Sequence, residues 1–169
     1  MGPDSPQHIL RPVRVGTIFL SFVGALVLNF LPWQDLRLVP DFVALTLCFW
    51  CIRQPRMVGL GVAWTLGLLT DAGNGVLLGQ HALAYSVLAF LALWLSRRVL
   101  WFGNAQQALH VAALLLVAQG VELLVRIGAG AAFPGWAVLV GPLLGAALWA
   151  PLSWVLLIPQ RRLEREQML

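Results

Sequence analysis

Charged side chains are scarce in this sequence, and lysine is absent. Only 11% of the 169 residues are charged and 60% are hydrophobic, whereas ordinary soluble domains carry about 25% charged residues. A chain with so little polar surface cannot cover a soluble globule, which excludes that class. The net charge of +4 comes entirely from arginine, and the arginines lie singly or in pairs between apolar runs. We therefore attribute the positive charge to membrane topology and expect no nucleic-acid partner.

Cysteine and the usual catalytic motifs are nearly absent as well. The two cysteines, Cys48 and Cys51, form a C-x-x-C, but a redox role needs an exposed thiolate at a helix start. Both lie inside an apolar run near its end, so packing is the expected role. There is no Walker loop, H-E-x-x-H or G-x-S-x-G, and we expect no enzyme activity, cofactor or metal. An intramembrane aspartyl pair of Asp41 and Asp71 is the alternative, and it is disfavoured because both residues lie at predicted helix ends.

Long apolar runs dominate the chain instead. Runs of about 20 residues are typical of membrane-spanning helices, and these do not alternate as the strands of a barrel do. The sequence predicts an all-α integral membrane protein, with six transmembrane helices in residues 13–158 and cytoplasmic tails at 1–12 and 159–169. Pro142 and Pro151 are expected to bend the last span. The predicted spans are about Val13–Leu31, Val39–Ile52, Met57–Asp71, Gln80–Leu95, Gln107–Ile127 and Trp136–Ile158.

The second of these spans is short. Its roughly 14 residues reach less than the ~30 Å of a bilayer's hydrocarbon core. A helix that thins the bilayer locally is one interpretation, and a re-entrant segment is the alternative.

The arginines indicate the orientation of the helices. Two of them, Arg37 and Arg126, lie in one alternating set of loops, and nine lie in the other set of loops and tails. Positively charged loops stay in the cytoplasm, so both termini are predicted to be cytoplasmic. The nine are Arg11, Arg14, Arg53, Arg56, Arg97, Arg98, Arg161, Arg162 and Arg165.

The tryptophans are distributed as an aromatic belt would place them. Trp33 and Trp136 fall at the predicted outer boundary, while Trp64 and Trp149 lie deeper and are predicted to be packing residues. The remaining four fall near the predicted inner boundary and are Trp50, Trp94, Trp101 and Trp154.

Ionisable residues from separate spans fall at one predicted depth, near the outer surface. A charge inside the bilayer is costly, and a helix rises ~1.5 Å per residue. The shared depth therefore predicts a polar pocket that faces outward. Its predicted rim consists of Asp41, Asp71, His81, Glu122 and Arg126.

Each of these residues also has a local explanation. Asp41 is placed to cap the start of the second span. Glu122 and Arg126 have the i, i+4 spacing of an ion pair within one helix, and His81 at a helix start is placed as a hydrogen-bonded interface residue. Asp71 lies near a helix C-terminus, where it opposes the helix dipole and needs a partner. Arg126 and His81 are the two candidates for that partner.

Small residues recur at helical spacing on two spans. Gly59, Ala63 and Gly67 are spaced by four on the third span, and Gly141 and Gly145 are spaced by four on the sixth. Such stripes let helices approach closely in lipid. Packing within the chain is the first interpretation of both, and contact with a partner protein is the alternative.

Four short motifs carry a family resemblance. They are Pro40-Asp41-Phe42, LCFWCIRQPRMVG at 47–59, GLLTDAGNGVLLGQHALAYS at 67–86, and Gln106-Gln107. With them the chain resembles the rod-shape-determining MreD family, small inner-membrane proteins of bacterial cell elongation. The family pattern has a P-D-F, a tryptophan before a cytoplasmic proline, and a G-L-x-x-D followed by L-G-x-x-A-L. The likeness in span number and size covers nearly the whole chain.

The resemblance implies a non-enzymatic scaffold in the bacterial inner membrane that binds MreC and helps to direct lateral peptidoglycan synthesis and rod cell shape. It implies MreB, RodA and its penicillin-binding transpeptidase as further members of the complex, with membrane lipid around the helices. Members are also similar in fold to the substrate-binding subunits of energy-coupling-factor vitamin transporters, which have six helices and an outward-opening pocket. The alternative function is therefore a solute- or lipid-binding, transporter-like subunit, and a third is an enzyme acting on a lipid-linked precursor.

Overall fold

The computed structural model describes residues 14–32 and 39–166, with side chains placed as far as residue 158. Within these ranges the chain forms helices and loops and contains no strand, so the all-helical prediction is confirmed. A 3₁₀ helix, Trp136–Leu139, leads directly into the sixth of seven α-helices. The α-helices are α1 Val15–Phe30, α2 Phe42–Arg53, α3 Leu60–Asn74, α4 Gln80–Val99, α5 Asn104–Gly128, α6 Val140–Ala147 and α7 Trp149–Glu166.

The short helix α2 lies at the centre of the bundle. It contacts α1, α4, α5 and α6, and every residue from Val43 to Ile52 is buried. A helix that is apolar on all sides is stable when other helices surround it, and α2 meets this condition. Its 12 residues extend about 18 Å. Cys48 and Cys51 belong to α2 and are both free and fully buried, which confirms the packing interpretation.

Helix α3 packs along α4, and α4 packs along α5. The contact between α3 and α4 is tight at Gly67, where a Cβ atom would overlap the backbone of His81 and Ala82. Ala63, one turn earlier, is fully buried. Gly59 is the N-cap of α3, and a Cβ there would have nothing within 4 Å. The first stripe therefore packs within the chain at Ala63 and Gly67, and close packing does not explain Gly59.

The second stripe lies against the segment before α2 and against α5. A Cβ at Gly141 would lie 3.1 Å from the carbonyl oxygen of Val39, and one at Gly145 would lie 3.0 Å from Cδ1 of Leu115. Both glycines therefore allow α6 to approach its neighbours within the chain. Contact of these positions with a partner protein stays a prediction.

Three parts of the chain have the length and composition of membrane spans. Helices α4 and α5 are each long and apolar enough to cross a membrane, and the pair Trp136–Ala147 and Trp149–Ile158 passes the same test when taken together. Helices α1 and α2 are apolar but shorter. The described residues thus have the character of a membrane protein, and the count of six spans stays a prediction.

The last predicted span, written as one segment, consists of two helices that meet at an angle of 44°. Pro151 lies in the first turn of α7 and has no N–H to donate to the carbonyl of Ala147, which its ring also crowds. The chain therefore bends at Leu148, in the turn before this proline, and the predicted bend of this span is confirmed. Pro142 lies in the first turn of α6, where a proline is tolerated, so it does not bend the helix.

The packing of the tryptophans differs from the prediction at two positions. Trp50 is fully buried, and its Nε1 donates a hydrogen bond to Oγ of Ser21 (2.8 Å), so its place is in the core and not in an aromatic belt. Trp64 is 46% exposed because it lies on the outer side of α3, so its predicted packing role is wrong. Trp149 is buried as predicted, and Trp33 lies outside the described residues.

Candidate functional site

Asp71, in the last turn of α3, caps the first turn of α4. Its carboxylate accepts hydrogen bonds from the backbone N–H groups of Gly79 (2.9 Å), His81 (2.9 Å) and Ala82 (3.3 Å). A helix cannot satisfy its first N–H groups by itself, and its dipole favours an anion at this end. Gly75 and Gly79 have left-handed φ angles of 63° and 102°, which turn the chain back so that α4 begins beside α3. We call this arrangement of Asp71 with Gly79, His81 and Ala82 the Asp71 cap.

The ring of His81 bonds to the same carboxylate. Its Nδ1 lies 2.7 Å from Oδ1 of Asp71. An ionised carboxylate can only accept, so Nδ1 carries a proton and donates it. The other ring nitrogen, Nε2, lies 3.7 Å from Oε1 of Glu122. Of the two predicted partners of Asp71, His81 is therefore the one that the structure places there.

Asp41 joins three helices at once. Its Oδ1 accepts hydrogen bonds from the backbone N–H groups of Val43 and Ala44 (both 3.0 Å), which makes it the N-cap of α2. The same oxygen accepts from Nδ2 of Asn29 at the end of α1 (2.8 Å), and Oδ2 accepts from the hydroxyl of Tyr85 on α4 (2.6 Å). The predicted capping role is confirmed, and the cap also links α2 to two neighbouring helices.

Glu122, on α5, is held by two side-chain amides. Its Oε1 accepts from Nε2 of Gln80 (3.1 Å), and its Oε2 accepts from Nε2 of Gln119 (3.1 Å). Arg126 is exposed, and among the described residues no carboxylate oxygen lies within 4 Å of its guanidinium. The predicted ion pair between Glu122 and Arg126 is therefore absent from this region, because Glu122 turns toward α4.

Several of these residues meet at a cavity of about 260 Å³, which we call the polar cavity. Of the five predicted rim residues, Asp41, His81 and Glu122 line it. Asp71 is fully buried behind His81 and does not line it, and neither does Arg126. The other polar lining residues are Asn29, Asn74, Tyr85 and Gln119, and the rest of the wall consists of Val39, Pro40, Ala44, Ala84, Leu115, Ala118, Val138, Gly141 and Pro142.

Tyr85 is the main residue that the sequence analysis did not select. It is the single tyrosine of the chain, it is 1% exposed, and its hydroxyl contacts Asp41. Its position four residues after His81 places both on one face of α4, and that spacing was the available signal. An apolar ring with one buried hydroxyl suggests packing unless the partner on another helix is known.

The geometry favours binding over covalent chemistry. Asp41 and Asp71 accept hydrogen bonds from separate sets of donors and share none, whereas the two carboxylates of an aspartyl protease share a proton. Among the described residues, no three His, Cys, Asp or Glu side chains are close enough to hold a metal ion. The carboxylates, amides and apolar residues that line the polar cavity can instead hold a polar or positively charged group.

Comparison with known proteins places the chain in a family. A family model described as rod shape-determining protein MreD matches residues 11–157. A rod shape-determining protein MreD of Haemophilus influenzae is 31% identical over 156 residues, which cover 89% of this chain and 91% of that relative. No solved structure matches the chain. The family resemblance predicted from the sequence is thereby confirmed, and the chain belongs to the MreD family of rod shape-determining proteins.

Proposed function

We propose that this protein is a non-enzymatic membrane scaffold of the bacterial elongation machinery. In this role it binds MreC and helps to direct lateral peptidoglycan synthesis and rod cell shape. MreB, RodA and its penicillin-binding transpeptidase are the further members of the proposed complex. Membership of a family named for rod shape determination supports the role in cell shape.

One structural observation carries the scaffold proposal. Asp41 and Asp71, which are the best candidates for chemistry in an apolar bundle, both serve to hold helix ends together. An acid whose oxygens are occupied by backbone N–H groups is suited to fixing a structure and is poorly placed to take or give a proton in catalysis. The hydrogen bonds of Asp41 and Asp71 therefore support a rigid outer face that a partner protein can recognise.

The proposed topology has six spans in the bacterial inner membrane, with both termini in the cytoplasm. Arg53 ends α2, and Arg97 and Arg98 lie in the last turn of α4. Asp41 and Gln80 begin those same helices beside the polar cavity, so the arginines and the cavity lie at opposite ends of the bundle. The positive-inside rule then puts the cavity on the periplasmic side, as in the energy-coupling-factor subunits to which we propose the fold is similar.

Thiol labelling tests this topology. Val76, in the loop between α3 and α4, and Trp101, in the loop between α4 and α5, are both exposed, and the two natural cysteines are buried. We expect a cysteine at Val76 to react with a membrane-impermeant maleimide in intact cells, and one at Trp101 to react after the cells are opened. The reverse pattern would overturn the orientation and the periplasmic role of the cavity together.

Co-purification with MreC tests the scaffold role. Arg126 is exposed, one turn beyond Glu122, so Arg126→Ala alters the outer face without removing a described ion pair. Arg98→Ala is the matched control, because Arg98 is also exposed but lies at the opposite end of the bundle. We expect Arg126→Ala to lower the recovery of MreC and the restoration of rod shape in cells that lack the protein, while Arg98→Ala leaves both unchanged. Full recovery with both variants would remove the outer polar face from the MreC interface.

A solute- or lipid-binding role is the second candidate, and the polar cavity is the observation that favours it. Ligand sites are concave and combine apolar walls with a few placed polar groups, and this cavity has both. A small molecule or lipid that remains bound in stoichiometric amount to the purified protein would support this role. Turnover of a lipid-linked precursor by the isolated protein would overturn both candidates in favour of an enzyme.

A further inference from the structure

Two carboxylates line the polar cavity, and no arginine is among its described lining residues. Asp41 and Glu122 line it, and Asp71 lies directly behind its His81 wall. In the part of the chain that the structure describes, the lining contains neither arginine nor lysine, and Arg37 lies outside that part. Among the described lining residues, His81 is the one able to carry a positive charge, and a protonated ring between Asp71 and Glu122 would offset only one of the three carboxylates.

The hydrogen bonds to the two lining carboxylates come from neutral groups. Asn29 and Tyr85 donate to Asp41, and Gln80 and Gln119 donate to Glu122. Neutral donors stabilise a carboxylate but leave its charge in place. Charges inside an apolar bundle are costly unless an opposite charge accompanies them, so the cavity electrostatically favours a cation.

The volume and the apolar lining residues of the polar cavity restrict the size and shape of a cation that could bind there. A volume of about 260 Å³ corresponds to roughly eight water molecules at ~30 Å³ each and falls just below the ~300–1,000 Å³ of pockets for drug-sized ligands. Apolar residues form much of the rest of the lining and include Pro40, Leu115, Val138 and Pro142. A small cation with a short hydrocarbon stem fits both features.

The hydrogen-bonding capacity of the cavity selects the type of cation. The charged acceptors are the carboxylate oxygens of Asp41 and Glu122. The neutral acceptors are Nε2 of His81 in the neutral ring and the side-chain oxygens of the lining residues Asn29, Asn74, Tyr85 and Gln119. A primary ammonium has three donors and no acceptor, which complements such a set. A trimethylated ammonium has no N–H donor and is bulkier, so it fits the set less well.

We propose that the polar cavity binds a primary ammonium group on a short alkyl stem. Two sources supply this chemistry, which are the ethanolamine head group of a phospholipid and a small free alkylamine. The inference rests on the second candidate function, the binding pocket, and is independent of the MreC complex. Glu122 is the principal counter-charge to the ammonium group, because both of its hydrogen-bond donors are neutral side chains and it is 21% exposed.

Ligand titrations of the purified full-length protein test the proposal. Thermal unfolding in neutral detergent is followed against ethanolamine, with tetramethylammonium at the same pH and ionic strength as control. A parallel series uses nanodiscs containing phosphatidylethanolamine, phosphatidylcholine or phosphatidylglycerol. We expect stabilisation by ethanolamine or phosphatidylethanolamine that the trimethylated and anionic counterparts do not reproduce.

Two variants remove the proposed site in different ways. Glu122→Gln keeps the size of the side chain but loses the charge, and we expect the half-saturating amine concentration to rise about tenfold or more. Ala118→Leu keeps both acids and fills the cavity from α5, and we expect a similar loss. Arg98→Gln, at the opposite end of the bundle, is the control and should bind as the wild type does. Because the two site variants act by different means, a folding defect in one leaves the other informative.

The arms of the experiment also separate the two sources. If the ligand is a phospholipid, Arg126, one turn beyond Glu122 on α5, is placed to meet its phosphate, and Arg126→Ala weakens phosphatidylethanolamine binding but not ethanolamine binding. If the ligand is a free amine, Arg126→Ala changes neither.

Equal stabilisation by trimethylated cations, no stabilisation by any amine, or wild-type binding by both site variants would overturn the proposal. So would stabilisation obtained only with a basic segment of MreC. Recovery of MreC by the same variants is measured separately, so failure of amine binding and failure of the scaffold role are distinguishable.

Discussion

Asp71 and Glu122 lie on either side of the ring of His81, yet the protein holds them in opposite ways. Asp71 has no exposed side-chain surface, and its partners are three backbone N–H groups and Nδ1 of His81. Glu122 is 21% exposed, and its hydrogen bonds come from the side chains of Gln80 and Gln119. Backbone donors cannot move without unwinding α4, whereas amide side chains can turn away. The Asp71 cap is thus suited to maintaining the fold, and the Glu122 side of the cavity is suited to accepting a ligand.

The helices around the two acids differ in the same sense. At Gly67, α3 and α4 approach so closely that no side chain fits between them. Around Glu122 the helices leave a cavity of about 260 Å³. Close packing beside Asp71 and open space beside Glu122 indicate that a change near Asp71 should affect stability, and a change near Glu122 should affect binding.

Asp71→Ala is the most damaging change that we predict. It leaves the N–H groups of Gly79, His81 and Ala82 without their acceptor, in a site from which water is excluded. We expect a loss of about 3 kcal/mol or more in the free energy of unfolding, measured by denaturant titration in detergent micelles. Asp71→Asn, which keeps one acceptor oxygen, should lose less. A change below about 1 kcal/mol for Asp71→Ala would remove the structural role of the Asp71 cap.

Gly67→Ala should follow in severity. The added Cβ would overlap the backbone of Ala82, so α3 and α4 must separate, at a cost of about 2 kcal/mol or more. Gly61→Ala on the same helix is the matched control, because a Cβ there has nothing within 4 Å, and alanine favours helix by about 1 kcal/mol over glycine. Thermal unfolding of the two variants checks this. Equal effects would contradict the close approach of α3 to α4.

Tyr85→Phe should have an intermediate effect. It removes the 2.6 Å hydrogen bond from the hydroxyl to Oδ2 of Asp41 but leaves the other donors to Asp41 in place. We expect a loss of about 1–2 kcal/mol in unfolding free energy. Ser86→Ala is the control, because the hydroxyl of Ser86 bonds only to the carbonyl of Ala82 on its own helix. If Tyr85→Phe costs no more than this control, the link between α2 and α4 does not contribute to stability.

Glu122→Gln should change stability least. Glutamine keeps one acceptor oxygen, and an uncharged side chain avoids the cost of holding a partly buried carboxylate whose hydrogen-bond donors are neutral. We expect a change within about 1 kcal/mol in the same titration, together with the loss of amine binding described above. A loss as large as that of Asp71→Ala would mean that both acids hold the fold, and the distinction between them would disappear.

The local features of this chain followed from sequence reasoning because they depend on neighbours along one helix. The apolar runs predicted α4 and α5, the position of Asp41 before an apolar run predicted an N-cap, and Pro151 predicted a bend. Each signal involves residues within about one helical turn of each other. The convergence of Asp41, His81 and Glu122 was also predictable, since antiparallel spans place the starts of α2 and α4 and the end of α5 at similar depths.

The same reasoning could not predict the direction in which each side chain points from its helix. Trp50 and Trp64 were assigned the wrong environments because the burial of a residue in an apolar helix depends on which side faces other helices and which faces outward. The partner of Asp71 was left between two residues, and Tyr85 was not selected.

By itself, the sequence determined that this protein is apolar and all-helical, that it resembles the MreD family, and that Asp41, His81 and Glu122 lie near one end of the bundle. Composition and the spacing of residues along the chain suffice for the helical class and the shared depth, and the family resemblance comes from the four motifs. Only the tertiary structure decided that Asp71 faces the start of α4, that Glu122 turns toward α4 and not toward Arg126, and that a cavity remains beside Glu122. These outcomes depend on the rotation of each helix about its axis and on the distance between helices, which packing against every neighbour sets together.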